Sequence, residues 1–216
     1  MKIKRGKNLV LKNKRTIHID KTVVIGDNVT IYENNRIEGN TVIGDNVIIF
    51  PGNYIVDCEI GSNAIIRSSQ LEQSEIGICS SIGPFAHLRP KSILGDRVKI
   101  GNFVEIKNAK IGNDTKVSHL AYVGDAEIGD DCNIGCGVIF VNYNGKTKSK
   151  SVVGNNCFIG SNSNVIAPVN INSNSYICAG TTVTETVNSN DFVIGRVKQV
   201  TKPNRARLYL KKFVGE

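Results

Sequence analysis

The sequence predicts an all-β chain folded as a parallel β-solenoid of six-residue repeats. Two observations favour this fold. Ile-Gly or Val-Gly pairs recur along the chain, most often close to 18 or 6 residues apart. Single aliphatic residues continue the period of six between the pairs, as in Ile25, Ile31, Ile37, Ile43, Ile49 and Ile55. Six residues do not return to the same face of a helix, but they accommodate a short strand and a corner.

Each hexad has an aliphatic residue that points inward and a polar corner such as Gly-Asp-Asn, whose residues tolerate the positive φ of a tight turn. Three hexads form one triangular coil of 18 residues, and each strand pairs in parallel with the same strand of the next coil. The hexads between Ile25 and about Val187 predict about nine coils. At about 4.8 Å per coil, the prism would be about 43 Å long.

The elements follow in order. Residues 1–21 lack hexads and form a basic leader, and residues 22–195 form the solenoid. Residues 142–151 have no aliphatic side chain, which predicts a loop that protrudes from one coil. The repeat fades after Val187, and residues 196–216 form a basic C-terminal tail. Loops are where functional residues concentrate, so residues 142–151 are a candidate site segment.

Composition restricts the function. Six cysteines without a CxxC pair indicate reduced thiols and a cytoplasmic protein rather than disulfides or a zinc site. No apolar run approaches 18 residues, so no membrane span is expected. The net charge of +8 comes from the two ends, with eight Lys and Arg residues in 1–21 and seven in 196–216. Such a distribution disfavours nucleic acid and suits a small anionic ligand.

Three segments are more specific than the repeat: Gly83-Pro84-Phe85-Ala86-His87-Leu88-Arg89-Pro90, Gly101-Asn102-Phe103-Val104-Glu105-Ile106-Lys107 and Ser118-His119-Leu120-Ala121-Tyr122-Val123-Gly124-Asp125. With Gly135-Cys136-Gly137 and Asn142-Tyr143-Asn144-Gly145, this order resembles the acetyltransferase domain of the bifunctional glucosamine-1-phosphate acetyltransferase / N-acetylglucosamine-1-phosphate uridyltransferase family. The resemblance implies a left-handed β-helix, a homotrimer and acetyl transfer from acetyl-CoA to the amine of glucosamine 1-phosphate. Without room for a nucleotidyltransferase domain before residue 22, no uridylyl transfer is expected.

The resemblance assigns roles residue by residue. An amine that attacks a thioester must lose a proton, and histidine is suited to accept it. His119 matches the family's base, and Asn142 matches a polar active-site position, although Asn-Tyr-Asn-Gly is also good turn chemistry. Arg89, Lys107 and Lys148 are the expected phosphate ligands. The other positions that match the sugar site are Glu105, Tyr122, Asn133 and Tyr143.

The cofactor side requires small side chains along which a pantetheine arm can lie. Cys136, Ser161 and Ala179 meet that need, although ordinary corner packing explains them equally well without the resemblance. Cys136 departs from the alanine of most relatives. Arg196 matches a position that contacts the phosphates of CoA, and the basic tail beyond it could attract the same groups or be a solvated end.

Other functions remain open at this point. One is a hexapeptide-repeat acyltransferase for another amino sugar or amino acid, and another is a catalytically silent β-solenoid used as an assembly module. A zinc enzyme of the γ-carbonic anhydrase type needs three converging histidines. His18, His87 and His119 are not placed to converge, so no catalytic metal is expected.

Overall fold

The structure is a computed structural model that describes residues 6–210. Within this range three parallel sheets run the length of a three-sided prism, and the chain visits them in the order I, II, III in every coil. The sheets contain 11, 10 and 9 strands, which corresponds to about ten coils. The parallel β-solenoid predicted from the six-residue period is therefore confirmed.

The strands are short, because a corner interrupts the chain after every hexad. Sheet I contains Val10–Leu11, Thr30–Ile31, Ile48–Ile49, Ile65–Ile66, Ser81–Ile82, Lys99–Asn102, Lys116–His119, Asn133–Ile134, Phe158–Ile159, Tyr176–Ile177 and Phe192–Val193. Sheet II contains His18–Ile19, Arg36–Glu38, Tyr54–Val56, Gln70–Glu72, His87–Leu88, Glu105–Lys107, Tyr122–Gly124, Ile139–Val141, Asn164–Ile166 and Thr182–Val183. Sheet III contains Val24–Ile25, Val42–Ile43, Glu59–Ile60, Ser74–Ile76, Ser92–Leu94, Lys110–Ile111, Ala126–Ile128, Ser151–Val153 and Val169–Ile171.

Inward aliphatic residues, one in most strands, build the core. On sheet II, Leu88, Ile106 and Val123 stack in register on adjacent coils, and each is fully buried. Phe140 fills the same position in a later coil and is the one phenylalanine among the buried core side chains of the described residues. The hexad aliphatics therefore face inward as the sequence predicts, and the outward residues of the same strands are free to form sites.

The corners have the backbone that the repeat predicts. Asn28, Asn46 and Asn63 each have a positive φ close to 60° at the same corner of successive coils. Asparagine tolerates this left-handed conformation better than other non-glycine residues. The amide of Asn28 also donates to Asn46, so one coil supports the corner of the next.

The solenoid starts earlier than residue 22, the predicted boundary. Val10–Leu11 pairs with Thr30–Ile31, and His18–Ile19 pairs with Arg36–Glu38. The leader lacks the Ile-Gly signature but still supplies strands to sheets I and II, which is why the coils number about ten rather than about nine. Residues 1–5 of the predicted leader lie outside the described residues.

The loop and the tail interrupt this regularity. Residues 142–150 protrude between the strands Ile139–Val141 and Ser151–Val153, and an antiparallel bridge joins Tyr143 to Lys148. Ser151, predicted as the last loop residue, is buried and begins the next strand. Residues 196–210 of the tail contain a 3-10 turn, Ala206–Leu208, and residues 211–216 of the predicted tail lie outside the described residues.

The helical content of the described part is two 3-10 turns, Lys14–Thr16 and Ala206–Leu208. Neither has the length or the hydropathy that a membrane span requires. All six cysteines are free, with Cys79 and Cys136 exposed and the other four buried.

Candidate active site

His119 lies at the end of the strand Lys116–His119, where sheet I turns into sheet II. We call this edge of the prism corner I–II. The side chain is exposed, and its Nδ1 lies 2.9 Å from Oδ1 of Asn102 on the preceding coil. Among the described residues Nε2 of His119 has no hydrogen-bond partner. One ring nitrogen is therefore held by the protein while the other faces solvent.

Cys136, Ser161 and Ala179 continue along the same corner beyond His119. Backbone hydrogen bonds link the corner from coil to coil: Gly137 N–H donates to Leu120 O, Asn162 N–H to Cys136 O and Gly180 N–H to Ser161 O, at 2.8 to 2.9 Å. We call Cys136, Ser161 and Ala179 the small-residue line. The structure thus brings the predicted base and the predicted pantetheine positions onto one edge.

The backbone of the small-residue line has unused donors. The hydrogen bonds of residues 6–210 give the N–H groups of Cys136, Ser161 and Ala179 no protein acceptor. At the corner between sheets III and I the situation is different, because the N–H groups of Asp96 and Asp130 donate to side-chain oxygens of Asn113 and Asn155 on the next coil. Exposed N–H groups beside small side chains can donate hydrogen bonds to a ligand carbonyl.

Arg196 follows the small-residue line. Its guanidinium donates to the carbonyl oxygen of Ala179 at 3.1 Å, and the side chain is exposed. A single hydrogen bond leaves most of its five N–H donors free. A cation therefore ends the line at the C-terminal end of the prism.

The predicted phosphate ligands lie along the opposite edge of sheet II, where it turns into sheet III. Arg89 donates to Glu105 Oε1 at 2.9 Å. The ammonium of Lys148, together with burial, lowers the pKa of Lys107, so the two lysine side chains are in contact. Two adjacent ammonium groups repel one another and can share a dianion.

Asn142 anchors the loop rather than reaching the base. Its side-chain amide donates to Asp125, and its backbone carbonyl oxygen accepts a hydrogen bond from the N–H of Ser149. Burial by itself raises the pKa of Asp125, but hydrogen bonds from Asn108 and Asn142 and the charges of Lys107 and Lys148 lower it overall. In the described residues Asn142 therefore contacts Asp125 and not His119, and it fixes the loop that carries Lys148.

The remaining sugar-site candidates separate onto two faces. Tyr122 and Glu105 face outward from sheet II in register with one another. The ring of Tyr122 lies along Gly124, where a Cβ atom would approach the tyrosine oxygen to 2.4 Å. Asn133 lies on sheet I, in register with Lys116 and Phe158. Tyr143 is exposed in the loop, and its hydroxyl donates to Gly145 O at 2.7 Å.

Sequence reasoning missed Asn102 and Asp125 as members of this group. Both belong to the quoted motifs, Asn102 to Gly101-Asn102-Phe103 and Asp125 to Val123-Gly124-Asp125. The period of the repeat contained a usable signal, because each lies 17 residues before the site residue that it contacts.

Two other polar features lie apart from His119. A cavity of about 460 Å³ lies on the sheet III side of the loop. Its lining includes Lys91, Lys110 and Lys150, together with Lys148, which also belongs to the predicted phosphate ligands. In the first coils, His18 Nε2 lies 3.1 Å from Asp20 and 3.6 Å from Glu38, but Arg36 donates to the same Glu38 oxygen at 2.6 Å. In this second group the carboxylate of Glu38 is therefore already paired with Arg36.

Comparisons with family models match two segments. Residues 13–111 match the GMPPB C-terminal domain, and residues 150–185 match the bacterial transferase hexapeptide (six repeats).

Curated relatives match almost the whole chain. A bifunctional protein GlmU from Caldicellulosiruptor saccharolyticus is 52% identical over 207 residues, which are 94% of this chain and 45% of that protein. A bifunctional protein GlmU from Clostridium beijerinckii is 46% identical over 199 residues, 92% of this chain and 43% of that protein. The chain spans less than half the length of these relatives.

Solved structures support the fold. The UDP-N-acetylglucosamine acyltransferase LpxA from Bacteroides fragilis superposes with a TM-score of 0.58 at 19% identity, over 82% of this chain and 69% of that chain. The Arabidopsis UDP-N-acetylglucosamine acyltransferase gives a TM-score of 0.51 at 21% identity, over 86% of this chain and 65% of that chain.

Proposed function

On the premise that this chain is a homologue of the acetyltransferase part of the bifunctional GlmU proteins, we propose that it is an acetyl-CoA-dependent N-acetyltransferase. The proposed acceptor is the amine of glucosamine 1-phosphate, and the product is N-acetylglucosamine 1-phosphate for UDP-N-acetylglucosamine synthesis. We place this reaction in the cytoplasm.

One observation carries the proposal: the exposed His119 lies on the same corner as a line of small residues with unused N–H groups. An extended pantetheine arm laid along Cys136, Ser161 and Ala179 would find hydrogen-bond donors for its amide carbonyls. Its thioester end would then lie beside His119, and its phosphates would lie toward Arg196 and the basic tail.

The chemistry follows from this placement. Nε2 of His119 accepts a proton from the ammonium or the attacking amine of the acceptor. The lone pair of the acceptor nitrogen then forms a bond to the thioester carbonyl carbon. The tetrahedral oxyanion then collapses, the carbon–sulfur bond breaks, and the thiolate of CoA leaves and takes up a proton. A positioned base of this kind contributes about 10²- to 10⁴-fold in rate.

The cation group binds the acceptor in this proposal. Arg89, Lys107 and Lys148 supply the phosphate ligands, and their mutual repulsion would be relieved by a phosphate dianion. Glu105, Tyr122 and Tyr143 offer hydrogen bonds to sugar hydroxyls. We assign Asn142 to the site through Asp125 and the loop, and Cys136 to the cofactor through its backbone.

We propose that three copies assemble as a homotrimer of left-handed β-helices and that each active site is shared between neighbours. Two observations support sharing. Asn133 and the sheet II candidates lie on different faces of one prism, so a small sugar phosphate cannot touch both within one chain. Corner I–II also exposes Phe85, Phe103 and Leu120, with the two phenyl rings stacked at 5.6 Å. Exposed apolar groups of this size are typical of subunit contacts.

The test is thiol release from acetyl-CoA with glucosamine 1-phosphate, comparing the wild type with His119→Ala. The exposed Cys79 and Cys136 react with thiol reagents, so an enzyme blank without acetyl-CoA is subtracted. We expect robust release that falls by about 10²- to 10⁴-fold in the variant at unchanged fold.

Glucosamine 6-phosphate and free glucosamine serve as competing acceptors in the same assay. Release with another amine but none with glucosamine 1-phosphate would identify a different acyltransferase. A folded protein that neither binds acetyl-CoA nor releases CoA with any amine would be a catalytically silent solenoid.

A further inference from the structure

Asn102 lies directly beneath His119 on corner I–II. The two residues are paired in register on adjacent strands of sheet I, and Leu120 N–H donates to Asn102 O at 2.9 Å. The two side chains are also in contact, with Asn102 Oδ1 2.9 Å from His119 Nδ1. The backbone pairing therefore fixes the amide under the ring.

The amide of Asn102 is not explained by the conformation of the corner. The left-handed residue here is Phe103, with φ of 57°, whereas Asn102 itself does not have a positive φ. Asparagines such as Asn28 and Asn46 occupy left-handed positions and stack amide on amide. At residue 102 the backbone would accept many side chains, so the amide is free to serve the neighbouring histidine.

Close approach of the two coils at this point is built into the sequence. A Cβ atom on Gly101 would lie 1.8 Å from the carbonyl oxygen of Ser118, so glycine is required for this spacing. The residues before Asn102 and His119 thus bring the two corner segments together. This arrangement holds the amide and the ring at hydrogen-bond distance.

We propose that Asn102 is a positioning residue that sets the tautomer of His119. An amide oxygen only accepts hydrogen bonds, so the neutral imidazole must carry its proton on Nδ1. Nε2 then bears the lone pair and is free to accept a proton. The kinetic consequences rest on the proposed acetyltransfer, whereas the tautomer itself does not.

The direct test is nitrogen NMR of the full chain with labelled histidine, recorded where His119 is neutral, with His119→Gln to assign the signal. We expect the wild type to carry the proton on Nδ1 and Asn102→Ala to shift the population toward the Nε2-protonated form. Asn40→Ala is the matched control, because Asn40 is an exposed corner asparagine in an early coil without a positive φ. A wild-type signal from a ring protonated on Nε2 would overturn the proposal.

Kinetics provide a second readout that a purely structural role would not affect. Asn102→Ala should lower kcat by about tenfold with little change in the KM for acetyl-CoA, the order expected for one positioning hydrogen bond. Asn102→Asp keeps an acceptor and adds a negative charge that favours the protonated ring, so it should retain the Nδ1 proton and move the acid limb of the kcat profile to higher pH.

The two levels of inference fail separately. The expected tautomer without turnover of glucosamine 1-phosphate would support Asn102 and refute the acceptor. Turnover with unchanged kcat, pH profile and tautomer in Asn102→Ala would refute Asn102 and leave the proposed function intact.

Discussion

Lys107 and Lys148, two of the proposed phosphate ligands, repel one another instead of stabilising the fold. The pKa of Lys107 is lowered chiefly by the neighbouring Lys148 and further by burial. Because the folded state disfavours protonated Lys107, this pair destabilises the fold at any pH below the lowered pKa. The penalty disappears as the pH rises through that pKa and above the ordinary value.

Lys148→Ala should therefore weaken acceptor binding without weakening the fold. We expect the KM for glucosamine 1-phosphate to rise by about tenfold or more, since a charged hydrogen bond to phosphate is lost. The Tm at neutral pH should not fall, because the repulsion between Lys148 and Lys107 that is removed offsets the lost attraction between Lys148 and Asp125. Steady-state kinetics and thermal unfolding measure the two quantities.

Lys146→Ala is the matched control, since Lys146 lies in the same loop and contributes its backbone N–H to Asn144. A similar rise in KM for both variants would show a loop effect rather than a ligand contact. A lower Tm for Lys148→Ala alone would contradict the assigned repulsion.

Each strand of the solenoid is one layer of its sheet. Most strands contribute one buried side chain and one or two outward side chains, whereas three-residue strands of sheet III such as Ala126–Ile128 bury two. On sheet II, Ile106 is fully buried between Leu88 and Val123, whereas Ile139 is 44% exposed in the outward row that includes Tyr122. The same residue type thus has opposite roles within one sheet. The difference comes only from its position in the hexad.

Ile106→Ala should lower the free energy of unfolding by about 2–5 kcal/mol, the usual cost of a cavity in a packed core. Ile106→Val should cost about 0.5–1.5 kcal/mol, and the outward Ile139→Ala should cost less than Ile106→Ala. Urea unfolding followed by circular dichroism measures the midpoints. Equal losses for Ile106→Ala and Ile139→Ala would contradict the inward and outward assignment.

At the scale of the whole molecule, one prism divides the candidate site between its faces. Asn133 belongs to sheet I, while Lys107 belongs to the far edge of sheet II. A shared site would join Asn133 of one copy to Lys107 of another. Subunit mixing tests this directly.

Asn133→Ala and Lys107→Ala chains should complement one another in mixed oligomers. We expect each pure variant to have a reduced kcat/KM for the acceptor and differently tagged, co-expressed hybrids to regain a fraction of wild-type activity, because some interfaces then contain both native residues. Hybrids with no more activity than the pure variants would place both residues in sites within one chain. An active monomer on a sizing column would refute sharing altogether.

The fold was predictable from the sequence because its signal is local. Ile-Gly pairs and corner asparagines specify inward strands and left-handed corners within each hexad, so the sheets follow from the period. Strands form before residue 22, the predicted boundary, because Val10–Leu11 and His18–Ile19 join the sheets without an Ile-Gly pair. Pairing with the next coil, rather than the local pattern, makes these residues strands.

By itself, the sequence determined the solenoid, the inward rows and the position of the protruding loop, because each is a property of one hexad or of its interruption. Tertiary structure alone decided which side chains meet. Coils contain 17 residues between Asn102 and His119, 18 between Asp27 and Asp45, and 25 across the loop between Asp130 and Asn155. Contacts between coils depend on this variable count, so Asn102 beneath His119, Asn142 on Asp125 and Asn133 on a separate face were fixed only when the strands paired.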